Sequence, residues 1–304
     1  MEVAGFALLI VHYRIDLVHV NMESTFSAAV AARVLRRPVI IHYRGKTIDH
    51  PQRFFDLYLP FLCRLANRVF VISHAVAAGF LRRGLTQNVE VLYNAVDLSP
   101  ILSQRSPDYF ERCESSFRGK RVVTFVGRLD PQKRVEDLID AAPLILQKVP
   151  NVAFAIVGGD PRIPEEAAYF EFLRARIHAI SPQPPVHFFG SERDVPHVLQ
   201  SSAVLVLPSV NEGFGRVVVE AMAAGTPVAA SHSGALPELL KKGELGFLFK
   251  PLDPDDLARA VVAALTDPSA GSKSERAAQY AREAFDIGKH AERVESEYSR
   301  WLKS

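Results

Sequence analysis

The sequence holds only two cysteines, Cys63 and Cys113, too few and too far apart for a disulfide framework or a metal–thiolate site. That scarcity makes a reduced, cytoplasmic setting the default expectation. Charge of one sign is lacking as well. With 36 basic and 34 acidic residues the net charge is +2, which gives no global field suited to nucleic acid. The local clusters Arg33, Arg36, Arg37 and Arg82, Arg83 read as solvated helix faces. No apolar run is long enough to span a bilayer. The run Val3 to Val11 also lacks the basic start and cleavage site of a signal peptide, and it reads as a buried helix feeding the first strand. Neither a G-x-G-x-x-G fingerprint nor a G-x-x-x-x-G-K-S/T phosphate loop occurs, which counts against hydride transfer and ATP hydrolysis. His12, His19, His42, His50 and His74 show no i,i+4 ligand spacing, and most are expected to be ordinary hydrogen-bonded residues.

What is present is a globular chain of 304 residues, 48% hydrophobic and 23% charged, large enough for two domains. Short β-branched runs alternate with helix-length segments, the pattern of parallel sheets covered by helices. Four strands are predicted in the first part, at 17–20, 38–42, 69–72 and 89–92. Six more follow at 121–126, 152–157, 186–189, 203–207, 228–230 and 247–249. The polar stretch between the two sets reads as a linker. The expected division is 1–103, a linker at 104–119, a second domain at 120–273, and a final helical segment at 274–304 that packs back across the interface.

The most informative segment runs from Ala203 to Ala224. An apolar strand ends at Pro208, and Glu212-Gly213-Phe214-Gly215-Arg216 leads into a helix that carries Glu220 in its second turn. Free N–H groups and the helix dipole favour an anion there, and glycine lets it come close. A carboxylate beside such an anion is repulsive unless it accepts hydrogen bonds from hydroxyls, as a sugar diol would offer. The plainer alternative is that Glu212 and Glu220 are ordinary charges on a helix. In Gly127-Arg128-Leu129-Asp130-Pro131-Gln132-Lys133 two cations bracket the next helix start and could hold a diphosphate. Equally, Arg128 could pair with Asp130 and Lys133 could be a surface residue. Gly158-Gly159 reads as turn chemistry. Asp253 and Asp255 read as a helix cap and first turn rather than metal ligands.

Glu212 and Glu220 match the Glu-x7-Glu motif of the retaining glycosyltransferases of family 4, which have the GT-B fold. Glu220-Ala221-Met222-Ala223-Ala224-Gly225-Thr226-Pro227-Val228 and Gly127-Arg128 with Lys133 resemble that family too, and the resemblance covers nearly the whole chain. It implies an α/β protein of two Rossmann-like doubly wound domains. It also implies a retaining enzyme that moves a sugar from a nucleotide-diphosphate sugar to an acceptor hydroxyl on a glycan, lipid or small molecule. On this reading Arg128 and Lys133 hold the diphosphate, Glu220 the ribose hydroxyls and Glu212 the transferred sugar. Gly127, Gly213, Phe214, Gly215 and Arg216 complete the donor site, with Glu212, Arg128 and Lys133 as the catalytic set. No cofactor and no catalytic metal are implied. The reaction would resemble a front-side displacement in which a donor phosphate oxygen takes the acceptor proton.

Ala95 and Ala235 stand where the family usually has glycine. Arg44 stands where it often has histidine, and His42, two residues earlier on the same strand face, is the other acceptor-side candidate. The family also begins with βα units not found ahead of residue 1. About 60–90 residues are therefore expected to be missing, leaving the N-terminal domain incomplete with an uncovered sheet edge. The competing readings are a non-catalytic or accessory GT-B protein that binds nucleotide sugar, and a sugar-nucleotide epimerase or hydrolase. Expected partners are the nucleotide sugar and an unidentified acceptor, with no nucleic acid. Peripheral contact with the inner membrane face is the alternative to a purely cytoplasmic setting.

Overall fold

The computed structural model describes residues 2–22, 25–45, 52–103, 108–160, 162–191 and 194–302. His50 lies outside them. The chain forms two compact units, one of residues 2–95 with 287–302 and the other of Val96–Asp286. All ten expected strands form, each within a residue or so of its predicted bounds.

In the first unit β1 (Val18–Val20), β2 (Val39–Tyr43), β3 (Arg68–Val71) and β4 (Val89–Val91) make a parallel sheet in that order. Every residue of β2 is buried, as expected for a central strand covered on both faces. The helix Ile287–Leu302 closes the unit through charge pairs. Arg68 meets Glu297 at 3.0 Å, and Arg293 meets Glu90 at 2.6 Å and Glu297 at 3.1 Å. Burial opposes ionisation of Glu297. Hydrogen bonds from Trp301, Arg68 and Arg293 nevertheless hold its carboxyl below the usual range.

The helix Glu2–His12 does form, but it is not the buried element the sequence suggested. Only Ile10 is buried, while Leu8 is 72% and Val11 63% exposed. It packs along one side against the helix Phe26–Val34, so an apolar surface that runs right round it finds a partner on that side. Among the described residues no helix is long and apolar enough to cross a membrane.

The second unit holds β5 (Arg121–Val126), β6 (Val152–Val157), β7 (Val186–Gly190), β8 (Val204–Leu207), β9 (Val228–Ser231) and β10 (Phe247–Phe249). They pair in parallel in the order β10-β9-β8-β5-β6-β7. From β5 the chain winds outward one way through β6 and β7. It then returns beside β5 and winds the other way through β8, β9 and β10.

Two expected boundaries differ from the structure. The supposed linker contains the helix Tyr109–Cys113 and the 3-10 turn Ser115–Phe117, both within the second unit. Phe110 and Phe117 bury their rings against each other and against Phe189, at centroid distances of 5.8, 5.3 and 5.6 Å. A few well-placed aromatics fix a segment too short to show periodicity. The long final helix is in fact two, Ala270–Ala284 and Ile287–Leu302, interrupted where Phe285 buries its ring and its carbonyl accepts from the Val96 N–H at 3.1 Å.

Candidate functional site

Neighbouring strands β5 and β8 are where the winding reverses, and the connections that leave them lead to β6 on one side and β9 on the other. That divergence opens a crevice in an open parallel sheet, the usual ligand position of such folds. The loop after β5 carries Gly127, Arg128 and Lys133. The loop after β8 carries Glu212 to Gly215. The Val210 N–H donates to the Gln132 carbonyl at 3.0 Å, tying the two loops together. Ser231 and Ser233 hydroxyls donate to the Ser209 and Val210 carbonyls, fixing the second loop to the end of β9.

Lys133 and Glu212, far apart in sequence, meet directly: Nζ lies 2.6 Å from Oε2, with 20% and 12% of the side chains exposed. Lys133 is therefore not a free surface lysine. Its position is set from behind by a turn whose role was not apparent in the sequence. Arg134 sits in the left-handed region at φ 54° and binds Glu136 at 2.7 Å and Asp137 at 2.6 Å. Tyr169 donates to Glu136 and accepts the Val135 N–H at 3.0 Å. Glu136 and Asp137 resemble plain first-turn acids, so only their burial marks them.

Arg128 is 76% exposed, and its ion pair with Asp130 is long at 3.7 Å, a contact worth little in water. The carboxylate of Asp130 instead accepts the Gln132 N–H at 2.8 Å and caps the turn Pro131–Lys133. Arg128 can thus reach toward a ligand without giving up a strong partner.

The helix Arg216–Ala224 begins at Gly215, φ 89°, an N-cap residue with no side chain of its own to cap it. Its first N–H groups are the anion donors that the sequence suggested. The Phe214 side chain is not part of the site surface. It is buried against Phe285 at 5.6 Å, so only its backbone can serve a ligand. Glu220 is 16% exposed and sits 3.8 Å from Arg216. Burial raises its pKa, partly offset by that guanidinium. Close by in sequence, the buried Ser209 hydroxyl has no partner among the described residues, a donor that a bound hydroxyl would satisfy.

Several glycines prove to be packing requirements. A Cβ on Gly158 would lie 2.0 Å from the Gly127 carbonyl oxygen, and one on Gly159 2.5 Å from Leu129. The Gly-Gly turn therefore braces the Gly127 loop. Ala235, the departure from the family pattern, has φ −83° and donates its N–H to the Glu212 carbonyl at 2.9 Å, so glycine is not needed there. The carboxylate of Asp253 accepts the Asp256 N–H at 3.1 Å and caps the helix Pro254–Thr266.

In the first unit His42 is 1% exposed and lies between His19 and His290, with ring centroids 5.9 and 5.7 Å away. His19 Nδ1 pairs with the Tyr298 hydroxyl at 2.6 Å, and His290 Nδ1 with the Tyr93 carbonyl at 3.0 Å. His19 is thus hydrogen-bonded as expected through Nδ1, while among the described residues the buried Nε2 atoms of His19 and His42 have no partner. Arg44 lies at the end of β2 and donates to Asn21 at 3.0 Å and Asn94 at 2.5 Å. Of the two acceptor-side candidates, His42 belongs to the core stack and Arg44 to the C-terminal edge of the sheet.

Burial, the Arg44 charge and the neighbouring imidazoles push the His42 pKa down to about 3, and burial lowers those of His19 and His290. A histidine whose folded pKa is depressed binds more protons when unfolded. Stability of this unit is therefore expected to be full above the ordinary pKa of 6.5 and to fall as pH drops toward about 3. The slope from His42 should be on the order of 1.4 kcal/mol per pH unit in this range. Urea unfolding followed through Trp301 at several pH values measures this, and His42→Phe should flatten the slope. An unchanged urea midpoint down to weakly acidic pH would contradict it.

Residues 110–284 match the family described as glycosyl transferases group 1, and residues 3–100 match glycosyltransferase family 4. An uncharacterized glycosyltransferase of Methanocaldococcus jannaschii is 35% identical over 185 residues, covering 59% of this chain and 45% of the relative. The sulfoquinovosyl transferase of Arabidopsis thaliana is 26% identical over 295 residues, covering 91% of this chain and 55% of the relative. The chain thus spans about half the length of these relatives. The crystal structure of Anabaena HepE with UDP-glucose is similar over 98% of this chain and 82% of that one, at 25% identity and a TM-score of 0.86. HepE has also been solved with UDP alone, with a TM-score of 0.88. The first family match takes in more than half of the chain, including the crevice between β5 and β8, Lys133, Glu212 and Glu220. On that evidence this chain belongs to the glycosyl transferases group 1 family.

Proposed function

We propose that this chain moves a sugar from a nucleoside-diphosphate sugar to an acceptor hydroxyl, with retention of configuration and without a catalytic metal. The observation that carries the reading is the Lys133–Glu212 pair beside the helix start at Gly215, at the point where the sheet reverses. Leaving-group departure builds negative charge on the diphosphate. Lys133, the exposed Arg128 and the first N–H groups of the helix would stabilise that charge. Glu212 orients Lys133 and offers its other oxygen to a sugar hydroxyl. Glu220, aimed back along its helix, accepts from the ribose diol. A donor phosphate oxygen takes the acceptor proton on the same face, so no carboxylate nucleophile is needed opposite the bond.

UDP-glucose is the first donor to test, since the structurally similar HepE binds it. Calorimetry should show UDP and UDP-glucose binding by this chain, and transfer or slow donor hydrolysis should persist in EDTA. Diol donors favour ionised Glu220, whose pKa is raised in the free protein, so UDP affinity should fall as pH drops through the weakly acidic range. Glu220→Gln should remove that pH dependence. Absence of any nucleotide-sugar binding, or activity abolished by EDTA, would defeat this reading.

A further inference from the structure

The arginine cluster 33, 36, 37 is solvated as expected, with Arg33 and Arg36 exposed and Arg37 half-exposed. It converges on a cavity of about 600 Å³ in the first unit, walled also by Asp16, Asn67 and Trp301. Asp16 precedes β1 and Pro38 precedes β2, so the cavity sits at the N-terminal ends of these strands. Arg44 and Asn21 follow the same strands, at the other end. This is a separate place from the acceptor-side candidates.

Three guanidinium groups face one carboxylate here. Asp16 pairs with Arg37 at 3.2 Å, and among the described residues no carboxylate pairs with Arg33 or Arg36. The contrast with Arg68 and Arg293 is sharp, because each of those is matched by Glu90 and Glu297 in the same unit. Asn67 spends its carbonyl oxygen on the Val39 N–H at 2.9 Å, which leaves its amide N–H groups as donors at the wall.

Arg36 itself is placed at a steric cost. The helix Phe26–Val34 ends in a Schellman turn, with the Arg37 N–H on the Ala32 carbonyl at 2.8 Å and the Arg36 N–H on the Arg33 carbonyl at 3.1 Å. That puts Arg36 at φ 56°, the position where glycine is the ordinary choice. The strain brings a third cation to the cavity.

We infer that this cavity binds a phosphate-bearing ligand with the charge of a pyrophosphate, held by Arg33, Arg36 and Arg37 with Asn67 as a neutral donor. Guanidinium forks suit phosphate oxygens, and the excess of two positive charges over the one carboxylate is offset when a dianion enters. Trp301 is the single tryptophan of the chain and lines the cavity, so its fluorescence reads occupancy directly.

Pyrophosphate should change Trp301 fluorescence saturably, and added salt should weaken the effect. Arg36→Gly should weaken binding about tenfold or more, the loss of one charged hydrogen bond, while leaving thermal stability equal or higher because the left-handed strain is relieved. Lys133→Ala should leave the response intact, which separates this cavity from the proposed diphosphate site of the second unit. In parallel, vesicles of phosphatidylglycerol and of phosphatidylcholine are compared. If only phosphatidylglycerol vesicles give the arginine-dependent signal, the phosphate is that of a lipid headgroup. If free pyrophosphate gives it, the ligand is soluble. No saturable change with either, or affinity unaltered in both Arg33→Ala and Arg36→Gly, overturns the inference.

Discussion

Lys133→Ala is expected to lower transfer by roughly 10²–10³-fold, the usual consequence of removing one preorganised charge from a developing anion. The alanine also leaves Glu212, 12% exposed, without its cation 2.6 Å away. An uncompensated carboxylate in such a place repels a diphosphate, so donor affinity should fall as well. Uridine, which lacks the phosphates, should bind nearly as before. Calorimetry with UDP and uridine separates the two effects. Equal losses for both ligands would mean that Lys133 only supports the fold. Because Lys133 and Glu212 act as one unit, the double variant should be far less impaired than the product of the singles.

Gly234→Ala is expected to damage the site as much from a position that touches no substrate. At φ 55° its added Cβ would lie 2.1 Å from the Glu212 carbonyl oxygen and 2.8 Å from the Glu212 nitrogen, both rigid backbone atoms. Something must move, and the segment that moves carries Glu212. Left-handed strain and overpacking together should cost about 2–4 kcal/mol of stability. Gly225→Ala is the control, because it has φ 78° and nothing within 4 Å of the added carbon. It should cost only about 1 kcal/mol, with activity preserved. Thermal unfolding and transfer assays on both variants decide the matter. If they lose stability and activity alike, the backbone contact with Glu212 is not what positions the carboxylate.

The arginine cavity illustrates what local sequence leaves out. Arg33, Arg36 and Arg37 are close in the chain and read as a solvated basic stretch. The Schellman turn and the arrival of Trp301 on the last helix turn the same residues into a lined cavity. The run Val3 to Val11 misleads, since its hydrophobicity promised burial that one neighbouring helix does not provide.

The sequence by itself determined the ten strands, because each is a short apolar run bounded by turns, and the central ones, covered on both faces, are rich in β-branched residues. It also marked Glu212, Gly215 and Glu220, whose spacing at a strand-to-helix junction has a local physical meaning. Only the tertiary structure decided the strand order and so the crevice between β5 and β8, because order depends on which edge each crossover returns to. The same holds for the Lys133–Glu212 contact, the bracing of Gly127 by Gly158 and the stack of His19, His42 and His290. Each joins groups from separate segments, and a linear pattern carries no record of which distant groups will share one place.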